Sequence, residues 1–340
     1  MKAGAEPSII VSDFRGWELL TLRSAAAEVD VVPGKGADIL AFRWRATGLN
    51  VLWTSPWGLP YRGAPSQYHD ATSAFLDQYP GGWQTIFPNG GAAVVEAGAP
   101  IGFHGEASLT SWDWEIVDDG DAPSVAFSCR LRRTPFALRK VLTLNGARLE
   151  VRETVHNVGG SAVDAMWSHH PAFGAPFLSS ACRLETAART FVADDDHDTE
   201  HGDLRVGVTS RWPHAEGRDG GTVDLRVLPA EVRPLERFGY LTEFDRGWAS
   251  LANSELALAA DLEWDVRTFP HAWLWLEARA TAGYPWYRQA YVVAVEPAAS
   301  WPGQGLHAAR QKTGTELRFE AGQTRAAVVS CTLRDLNAGH

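Results

Sequence analysis

Two segments of the sequence place a proton-carrying side chain directly before a proline. In WSHHPAF His170 precedes Pro171, and in QAYVVAVEP Glu296 precedes Pro297. Histidine titrates closest to neutral pH, and a carboxylate after a run of apolar residues is expected to be partly desolvated, which raises its pKa. Both residue types therefore suit general acid–base catalysis near neutral pH. A hydrogen-bonded structural histidine and a water-exposed glutamate at a strand end are the alternatives for these positions.

The alternation of side chains in WSHHPAF predicts that its two histidines point in opposite directions. Ser168 and His170 fall on one face of a strand, and Trp167 and His169 fall on the other. Because proline cannot donate a ladder hydrogen bond, regular pairing is expected to end at Pro171. One histidine ring can then face a cleft while its neighbour points elsewhere.

A glycine-flanked turn in GFHGEASLTSWDW holds a third histidine. Gly102 and Gly105 permit backbone conformations that could present His104 and Glu106 to a ligand. The alternative is a turn exposed to water. The sequence makes both side chains candidates for substrate binding.

Further candidate binding residues come from another turn and from one strand. The turn GGWQTIFPNGG could wall a pocket with Trp83, Gln84 and Asn89, and it lacks the spacing of a P-loop or dinucleotide fingerprint. In HAWLWLEA, alternation places Trp273 and Trp275 on one face, where either could stack on a sugar ring. Filling the core is the alternative role for both tryptophans, and Trp275 is retained as a binding candidate.

The elements that must position these residues are predicted to be strands. SVAFSCRLR alternates apolar and polar residues, and RKVLTL and ARLEVRETV flank Asn145-Gly146, the dipeptide that best fits a type I′ hairpin turn. Similar runs are DILAFRWRA, SLTSWDWEIV and RAAVVSCTLR, whereas one short helix is predicted around Ser73–Gln78. Without a fixed-period repeat or a low-complexity linker, the sequence predicts an all-β fold. We expect one large antiparallel β-sandwich domain spanning residues 1–340.

Composition and charge exclude several classes of function. The formal net charge of −10 over 340 residues argues against a nucleic-acid partner and against docking on an anionic membrane. The three cysteines form no CxxC pair, which argues against a disulfide framework and for a reducing compartment. The segment MKAGAEPSIIVSDFRGW has no continuous apolar run of the signal-peptide type. We therefore expect a cytoplasmic protein without nucleic-acid or membrane partners.

Two groups of residues partly resemble metal sites. The histidines His104, His169 and His170 lack the tighter spacing of cupin ligands. The acidic run FVADDDHDTEHGD, residues 191–203, has aspartates at alternate positions but lacks the glycine and glutamate of an EF-hand loop. That run is predicted to be a solvated loop, and no metal site is expected.

Together these segments resemble the aldose 1-epimerase, or galactose mutarotase-like, superfamily. Members show an HG turn, an asparagine-bearing strand leading into a histidine-proline-aromatic motif, and a glutamate-proline pair near the C-terminus. The counterparts here are His104-Gly105, Asn157 in ETVHNVGG, His170-Pro171-Ala172-Phe173 and Glu296-Pro297. The resemblance covers roughly Gly81 to Pro297 and implies the β-supersandwich of that superfamily.

The resemblance implies a mutarotase that interconverts the α and β anomers of an aldose. Glu296 would take the proton of the anomeric hydroxyl while His170 protonates the ring oxygen, which opens the pyranose. Rotation about the C1–C2 bond and reclosure give the other anomer, with His104 holding and polarising the sugar. No metal or organic cofactor is implied. The superfamily's substrate-binding aspartate has no counterpart that the motifs can place.

The sequence departs from the sugar-phosphate branch of this superfamily. That branch has an arginine before the double glycine, where this chain has Pro80, and another after the HG turn, where this chain has EASLTSW. Glu106 would also repel a phosphate. We therefore expect a neutral aldose as the small-molecule partner.

Two other functions remain open at the level of the sequence. One is a non-catalytic carbohydrate-binding protein on the same fold. The other is a glycoside hydrolase or lyase, which needs two carboxylates about 5–9.5 Å apart. Glu106 and Glu296 are the pair that the sequence offers for that chemistry.

Overall fold

The computed structural model describes residues 8–64 and 70–338. Within these ranges the first strands are β1 (Ile9–Phe14), β2 (Trp17–Arg23), β3 (Ala27–Val32), β4 (Asp38–Trp44), β5 (Leu49–Asn50), β6 (Trp83–Ile86), β7 (Val94–Glu96), β8 (Ala99–Ile101), β9 (Asp113–Asp118), β10 (Ser124–Arg130), β11 (Phe136–Asn145), β12 (Arg148–Asn157) and β13 (Val163–Ala165). The later strands are β14 (Ser168–Gly174), β15 (Cys182–Thr186), β16 (Thr190–Ala193), β17 (Thr209–Arg211), β18 (His214–Glu216), β19 (Thr222–Asp224), β20 (Leu235–Thr242), β21 (Gly247–Asn253), β22 (Leu258–Trp264), β23 (His271–Ala278), β24 (Tyr291–Ala298), β25 (Leu317–Phe319) and β26 (Thr324–Asp335).

In the described part of the chain, helical structure forms only short segments. They are α1 (Ala71–Leu76), a 3₁₀ turn (Ala107–Leu109) and α2 (Leu306–Ala308), which continues as a π-helical turn (Ala309–Thr313). The predicted helix around residues 73–78 is thus present and begins two residues earlier, at an Asp70 capping box. Among the described residues no helix has the length and apolar character needed to cross a bilayer.

Two large antiparallel sheets form the body of the fold. The first sheet has the strand order β1-β2-β3-β4-β6-β14-β24-β23-β20-β16-β17, with β5 added beside β4. The second sheet has the order β15-β21-β22-β26-β12-β11-β10-β9. Three two-stranded ribbons, β13-β25, β18-β19 and β7-β8, complete the described strands. The all-β, antiparallel sandwich predicted from the strand patterns is confirmed.

Strand β24 shows how the first sheet separates two layers of buried residues. Val293 and Val295 belong to the main core between the sheets, whereas Val292 and Ala294 pack into a separate aromatic cluster on the other face. Every residue of β24 is buried, because both faces of this strand are covered. The face of β24 that points away from the second sheet is therefore covered by other residues, and a buried cavity can form between that face and its cover.

The predicted hairpin is present, but its turn lies one residue later than expected. Asn145 pairs with Arg148, which leaves Gly146 and Ala147 as the two central residues. Only Gly146 has a positive φ, of 56°, so the turn cannot be type I′, which needs positive φ at both positions. A glycine at the first central position instead fits type II′.

Pro171, the proline predicted to end regular pairing, lies inside a strand. β14 continues past Pro171 to Gly174, so the expectation that pairing ends at Pro171 is wrong. β14 pairs with β24 at Ser168 and again from Ala172 onward. The interruption between these positions accommodates Pro171, which has no N–H group to donate. Pro297 likewise lies within β24, which ends one residue later.

Candidate active site

A cavity of about 290 Å³ lies on the face of the first sheet that points away from the second. Its wall is largely aromatic, with contributions from Phe75, Phe103, Phe238, Trp273, Trp275 and Trp286. Its polar side chains are Tyr79, His104, His170, His197 and Glu296. Among the described residues, no lysine or arginine belongs to this wall. The cavity therefore combines ring faces with a few proton-carrying groups.

The register of two strands brings His170 opposite Glu296. β14 pairs with β24 through Ser168–Ala298 and Ala172–Ala294, and the position midway between these pairs joins His170 to Glu296. Directly opposite residues share a face of the sheet with their Cβ atoms about 5 Å apart. Antiparallel pairing thus places the two proton carriers side by side.

His170 and Glu296 form a close, buried and incompletely bonded pair. Their side chains are 6% and 3% exposed, and 3.3 Å separates His170 Nδ1 from Glu296 Oε1. Neither His170 Nδ1 nor Glu296 Oε2 has a hydrogen-bond partner within the described part of the chain. Buried polar atoms are almost always paired in folded proteins, so both atoms have hydrogen-bonding capacity that the protein leaves unused.

Burial shifts the pKa values of this pair in opposite directions. It raises the pKa of Glu296 well above its ordinary value and lowers the pKa of His170 to about 3. Burial has these effects because it disfavours the charged form of each group. His170 is therefore neutral at pH 7, and Glu296 keeps its proton to a higher pH than a solvated glutamate. The pair can therefore take up one proton while it gives up another and remain uncharged.

A reciprocal contact with Gly91 fixes His104 in the cavity wall. The His104 N–H donates to the Gly91 carbonyl at 3.0 Å, and the Gly91 N–H donates to His104 Nδ1 at 3.1 Å. A neutral imidazole that accepts at Nδ1 carries its hydrogen on Nε2, which leaves a donor for a ligand. Burial, followed by the nearby His170, lowers the pKa of His104 well below its ordinary value.

The glycine after His104 is required by a close backbone approach. Gly105 has φ +78°, and a Cβ there would lie 2.4 Å from the carbonyl oxygen of Phe87. We expect Gly105→Ala to lower the free energy of unfolding by about 2–4 kcal/mol, because it adds backbone strain to a steric clash. Urea unfolding measures this change. Gly102→Ala is the matched control, since its Cβ would meet no atom closer than 3.6 Å. Equal stability of the two variants would contradict the argument.

Two of the proposed binding residues lie behind the cavity wall. Trp83 is 2% exposed, and its Nε1–H donates to His169 Nδ1 at 3.2 Å. Gln84 is fully buried, and its Nε2 donates to the Gly81 carbonyl at 2.6 Å. Neither side chain belongs to the wall. Both support the strand that carries His170, and we propose no contact with a substrate for them.

Asn89 and Glu106 also have structural partners outside the cavity wall. Asn89 Oδ1 accepts from the Leu306 N–H at 2.9 Å, which ties the loop to α2. Glu106 accepts from the Arg133 N–H at 3.2 Å and from Thr134 Oγ1 at 2.9 Å. Of the residues assigned to substrate binding from the sequence, only His104 and Trp275 belong to the wall.

The sequence-based assignment did not include Tyr79, whose hydroxyl lies 3.2 Å from His170 Nε2. The two rings are stacked, with centroids 5.4 Å apart and planes 12° apart. Phe75 also stacks on Tyr79, with its ring centroid 5.4 Å from that of Tyr79. The spacing of four residues between Phe75 and Tyr79 was the available signal, because it places both rings on one side of α1 and the turn after it.

The acidic run 191–203 is a solvated loop in its middle part, as predicted, with Asp195, Asp196, Asp198 and Glu200 exposed, but its first residues are mostly buried. Asp194 is 2% exposed and accepts from the Tyr240 hydroxyl and from Gln304 Nε2, the latter at 2.7 Å. His197 belongs to the cavity wall, with Nε2 3.6 Å from Glu236 Oε2. Hydrogen bonds from distant residues thus hold Asp194 in the interior, which composition did not predict. Among the described residues, no group of three or more histidine, cysteine, aspartate or glutamate side chains could hold a metal ion.

A buried ionic network lies on the opposite side of β14, between the two sheets. Glu153 contacts Lys140 Nζ at 3.5 Å and His169 Nε2 at 3.3 Å, and it accepts from Trp167 Nε1 at 3.1 Å and from the Thr85 hydroxyl. Burial alone would raise the pKa of Glu153, but the nearby His169 and Lys140 lower it to about 2. The network fixes His169, and with it the strand that presents His170.

Comparison with known proteins identifies one family and a group of similar structures. The family described as Domain of unknown function (DUF4432) matches residues 14–333. No curated protein matches the sequence. Among solved structures, a galactose mutarotase-like protein from Clostridium acetobutylicum has a TM-score of 0.69 at 14% identity, covering 96% of this chain and 98% of the other.

Two proteins from lactobacilli give similar values. A galactose mutarotase-like protein from Lactobacillus casei has a TM-score of 0.65 at 17% identity, covering 93% of this chain and 100% of the other. A galactose mutarotase related enzyme from Lactobacillus acidophilus has a TM-score of 0.62 at 16% identity, with coverage of 93% and 97%. The predicted resemblance is thus confirmed for the fold.

Proposed function

Since the chain belongs to the DUF4432 family, a domain of unknown function, its activity has to be argued from its own site, and we propose that it is an aldose 1-epimerase. It would interconvert the α and β anomers of a neutral aldose. The observation that carries this proposal is the buried pair of His170 and Glu296, 3.3 Å apart in an aromatic cavity. The solved proteins that share the fold include galactose mutarotase-like proteins, which supports the same chemistry here.

In the proposed reaction, Glu296 and His170 move one proton in and one proton out. Glu296 takes the proton of the anomeric hydroxyl as the bond between C1 and the ring oxygen breaks. The ring oxygen receives a proton from the His170 side of the site, which gives the open-chain aldehyde. Rotation about the C1–C2 bond and reversal of the steps close the other anomer. The Nε2–H of His104 would donate to a sugar oxygen.

The cavity wall supports an uncharged sugar as the substrate. A phosphate or carboxylate group would need a cation or several N–H donors. No lysine or arginine belongs to the wall among the described residues, and burying an unpaired negative charge there would be costly. Trp275 and its aromatic neighbours offer flat faces for the C–H side of a pyranose. We therefore propose a neutral aldose.

The hydrolase alternative has less support than it had from the sequence. It depended on Glu106 acting together with Glu296. Glu106 is held by backbone N–H groups outside the cavity wall, so it offers no second carboxylate beside Glu296. The alternative of a non-catalytic sugar-binding protein is decided by the assay below.

Anomer exchange measured by NMR tests the proposal. Freshly dissolved α-anomers of a panel of free aldoses should equilibrate faster with the protein than without it, for at least one sugar. His170→Asn should lower that rate by about 10³-fold, because the variant loses a positioned proton carrier.

His156→Asn is the matched control for this assay. His156 lies in the second sheet, where its Nδ1 is 2.9 Å from Thr324 Oγ1, and this substitution should leave the rate unchanged. Saturable binding of a sugar without acceleration of any member of the panel would instead support the non-catalytic alternative.

A further inference from the structure

Both ring nitrogens of His170 lie beside protein groups. Nδ1 is 3.3 Å from Glu296 Oε1, and Nε2 is 3.2 Å from the hydroxyl oxygen of Tyr79. A histidine that protonates a sugar directly needs one ring nitrogen turned to the sugar. In this site Glu296 flanks one ring nitrogen and Tyr79 flanks the other, so neither nitrogen is turned directly to a sugar. Tyr79 and Glu296 both belong to the cavity wall.

We propose that Tyr79 is a further catalytic residue, which donates the proton to the ring oxygen at the end of a relay running from Glu296 through His170. This inference rests on the proposed mutarotation and deepens it. The relay uses both oxygens of the Glu296 carboxyl group: Oε1 lies 3.3 Å from His170 Nδ1, and neither Oε2 nor Nδ1 has a hydrogen-bond partner among the described residues.

The relay balances in protons and electrons. It starts with hydrogen on Glu296 Oε1, on His170 Nε2 and on the Tyr79 hydroxyl. The anomeric hydroxyl gives its proton to Oε2, Oε1 gives its proton to Nδ1, Nε2 gives its proton to the tyrosine oxygen, and the tyrosine gives its own to the ring oxygen. The C1–ring oxygen bond breaks with its electron pair on oxygen, and the C1=O1 double bond forms. All three side chains end neutral, and ring closure restores their starting forms.

A relay of neutral groups suits this environment better than an imidazolium acid. Burial lowers the pKa of His170 to about 3, so a protonated imidazole is scarce near neutral pH. Burial, then Glu296 and Asp38, raise the pKa of Tyr79 well above its ordinary value, so its hydroxyl keeps its hydrogen. Because this phenol is weakly acidic, it can give up its proton only if another proton reaches its oxygen at the same time. His170 Nε2 is placed to donate that second proton.

Packing holds the tyrosine in the position that the relay needs. Tyr79 is 1% exposed, and its ring lies between Phe75 and His170, with centroids 5.4 Å from each. The ring of Trp53 also packs against that of Tyr79, with the two centroids 5.8 Å apart. A group locked by its neighbours needs no reorganisation when the proton moves.

Tyr79→Phe tests the proposal, because it removes the hydroxyl and keeps the ring packing. We expect kcat for mutarotation to fall by about 10²-fold with little change in KM. Tyr291→Phe is the matched control, since this tyrosine is also buried and its hydroxyl donates to the Pro229 carbonyl away from the cavity. That control should keep the parent rate.

The dependence of the parent's rate on the deuterium content of the solvent gives a second test that needs no variant. A relay moves several protons in one step, so the rate should fall along a curve as deuterium increases. A straight line in the parent, or a parent-like kcat in a folded Tyr79→Phe variant, would overturn the role of Tyr79. Either result would leave mutarotation itself standing if His170→Asn is still impaired. Failure of the parent to accelerate any aldose would instead contradict the proposed function.

Discussion

Glu296→Gln is expected to lower kcat/KM for mutarotation by about 10³- to 10⁴-fold, the largest effect on activity that the site predicts. The amide keeps the size of the side chain, but it is a poor proton acceptor and cannot pass a proton to His170. The same NMR assay of anomer exchange measures the loss. A variant with the parent's rate would remove Glu296 from the mechanism.

The same substitution is expected to stabilise the fold at neutral and alkaline pH. Burial raises the pKa of Glu296 above the ordinary value of 4.5, so above pH 4.5 the unfolded chain releases a proton that the folded chain retains. The stability of the parent therefore falls as pH rises from 4.5 toward the raised pKa. Glutamine cannot titrate, so its advantage should be absent below pH 4.5 and grow above it.

Urea unfolding of the parent and of Glu296→Gln at pH 4 and pH 8 measures this difference. His170 contributes the opposite slope, since its pKa is lowered from 6.5 to about 3 and stability falls as pH drops through that window. That contribution is present in both proteins and cancels in the comparison. Glu115→Gln, at an exposed position of β9, is the control and should change neither rate nor stability. A pH-independent difference for Glu296→Gln would contradict a buried, titrating carboxyl group.

Glu153→Leu is expected to lower the free energy of unfolding by about 3–5 kcal/mol, the largest effect on stability. It leaves the ammonium group of Lys140, 2% exposed, without its carboxylate partner, and it removes the acceptor for Trp167 Nε1 and the Thr85 hydroxyl. An uncompensated charge in the core costs far more than a lost surface ion pair. Urea unfolding at pH 7 measures the loss.

The pH dependence gives this prediction a second check. His169 and Lys140 lower the pKa of Glu153 to about 2, so its stabilising contribution is present above pH 4.5 and is lost as pH falls toward 2. The difference between parent and variant should shrink over that range. Glu150→Leu is the matched control on β12, because Glu150 lies on the more exposed face, and its effect should stay within about 0.5 kcal/mol. Equal losses for the two variants would contradict a special role for the network.

The sequence by itself determined the strands, because alternation of side chains is local. SVAFSCRLR and HAWLWLEA appear in the structure as β10 and β23, and the predicted hairpin is present with its turn one residue later. The alternation also predicted that the two histidines point in opposite directions, and in the structure His170 faces the cavity and His169 faces Glu153. The raised pKa of Glu296 was expected from the apolar run before it, and burial on both faces of β24 is its cause.

Only the tertiary structure decided which side chains meet. Tyr79 and His170 are 91 residues apart in the sequence, and the stack that joins them depends on how α1 lies over the first sheet. Proximity to a motif in the sequence suggested Glu106 and Asn89 as binding residues, yet both turn to backbone partners outside the wall. The physical reason is that a strand pattern fixes the face of a residue, whereas strand order and loop packing fix its neighbours. His170 and Glu296 become a pair because β14 and β24 are adjacent in register, which no local pattern contains.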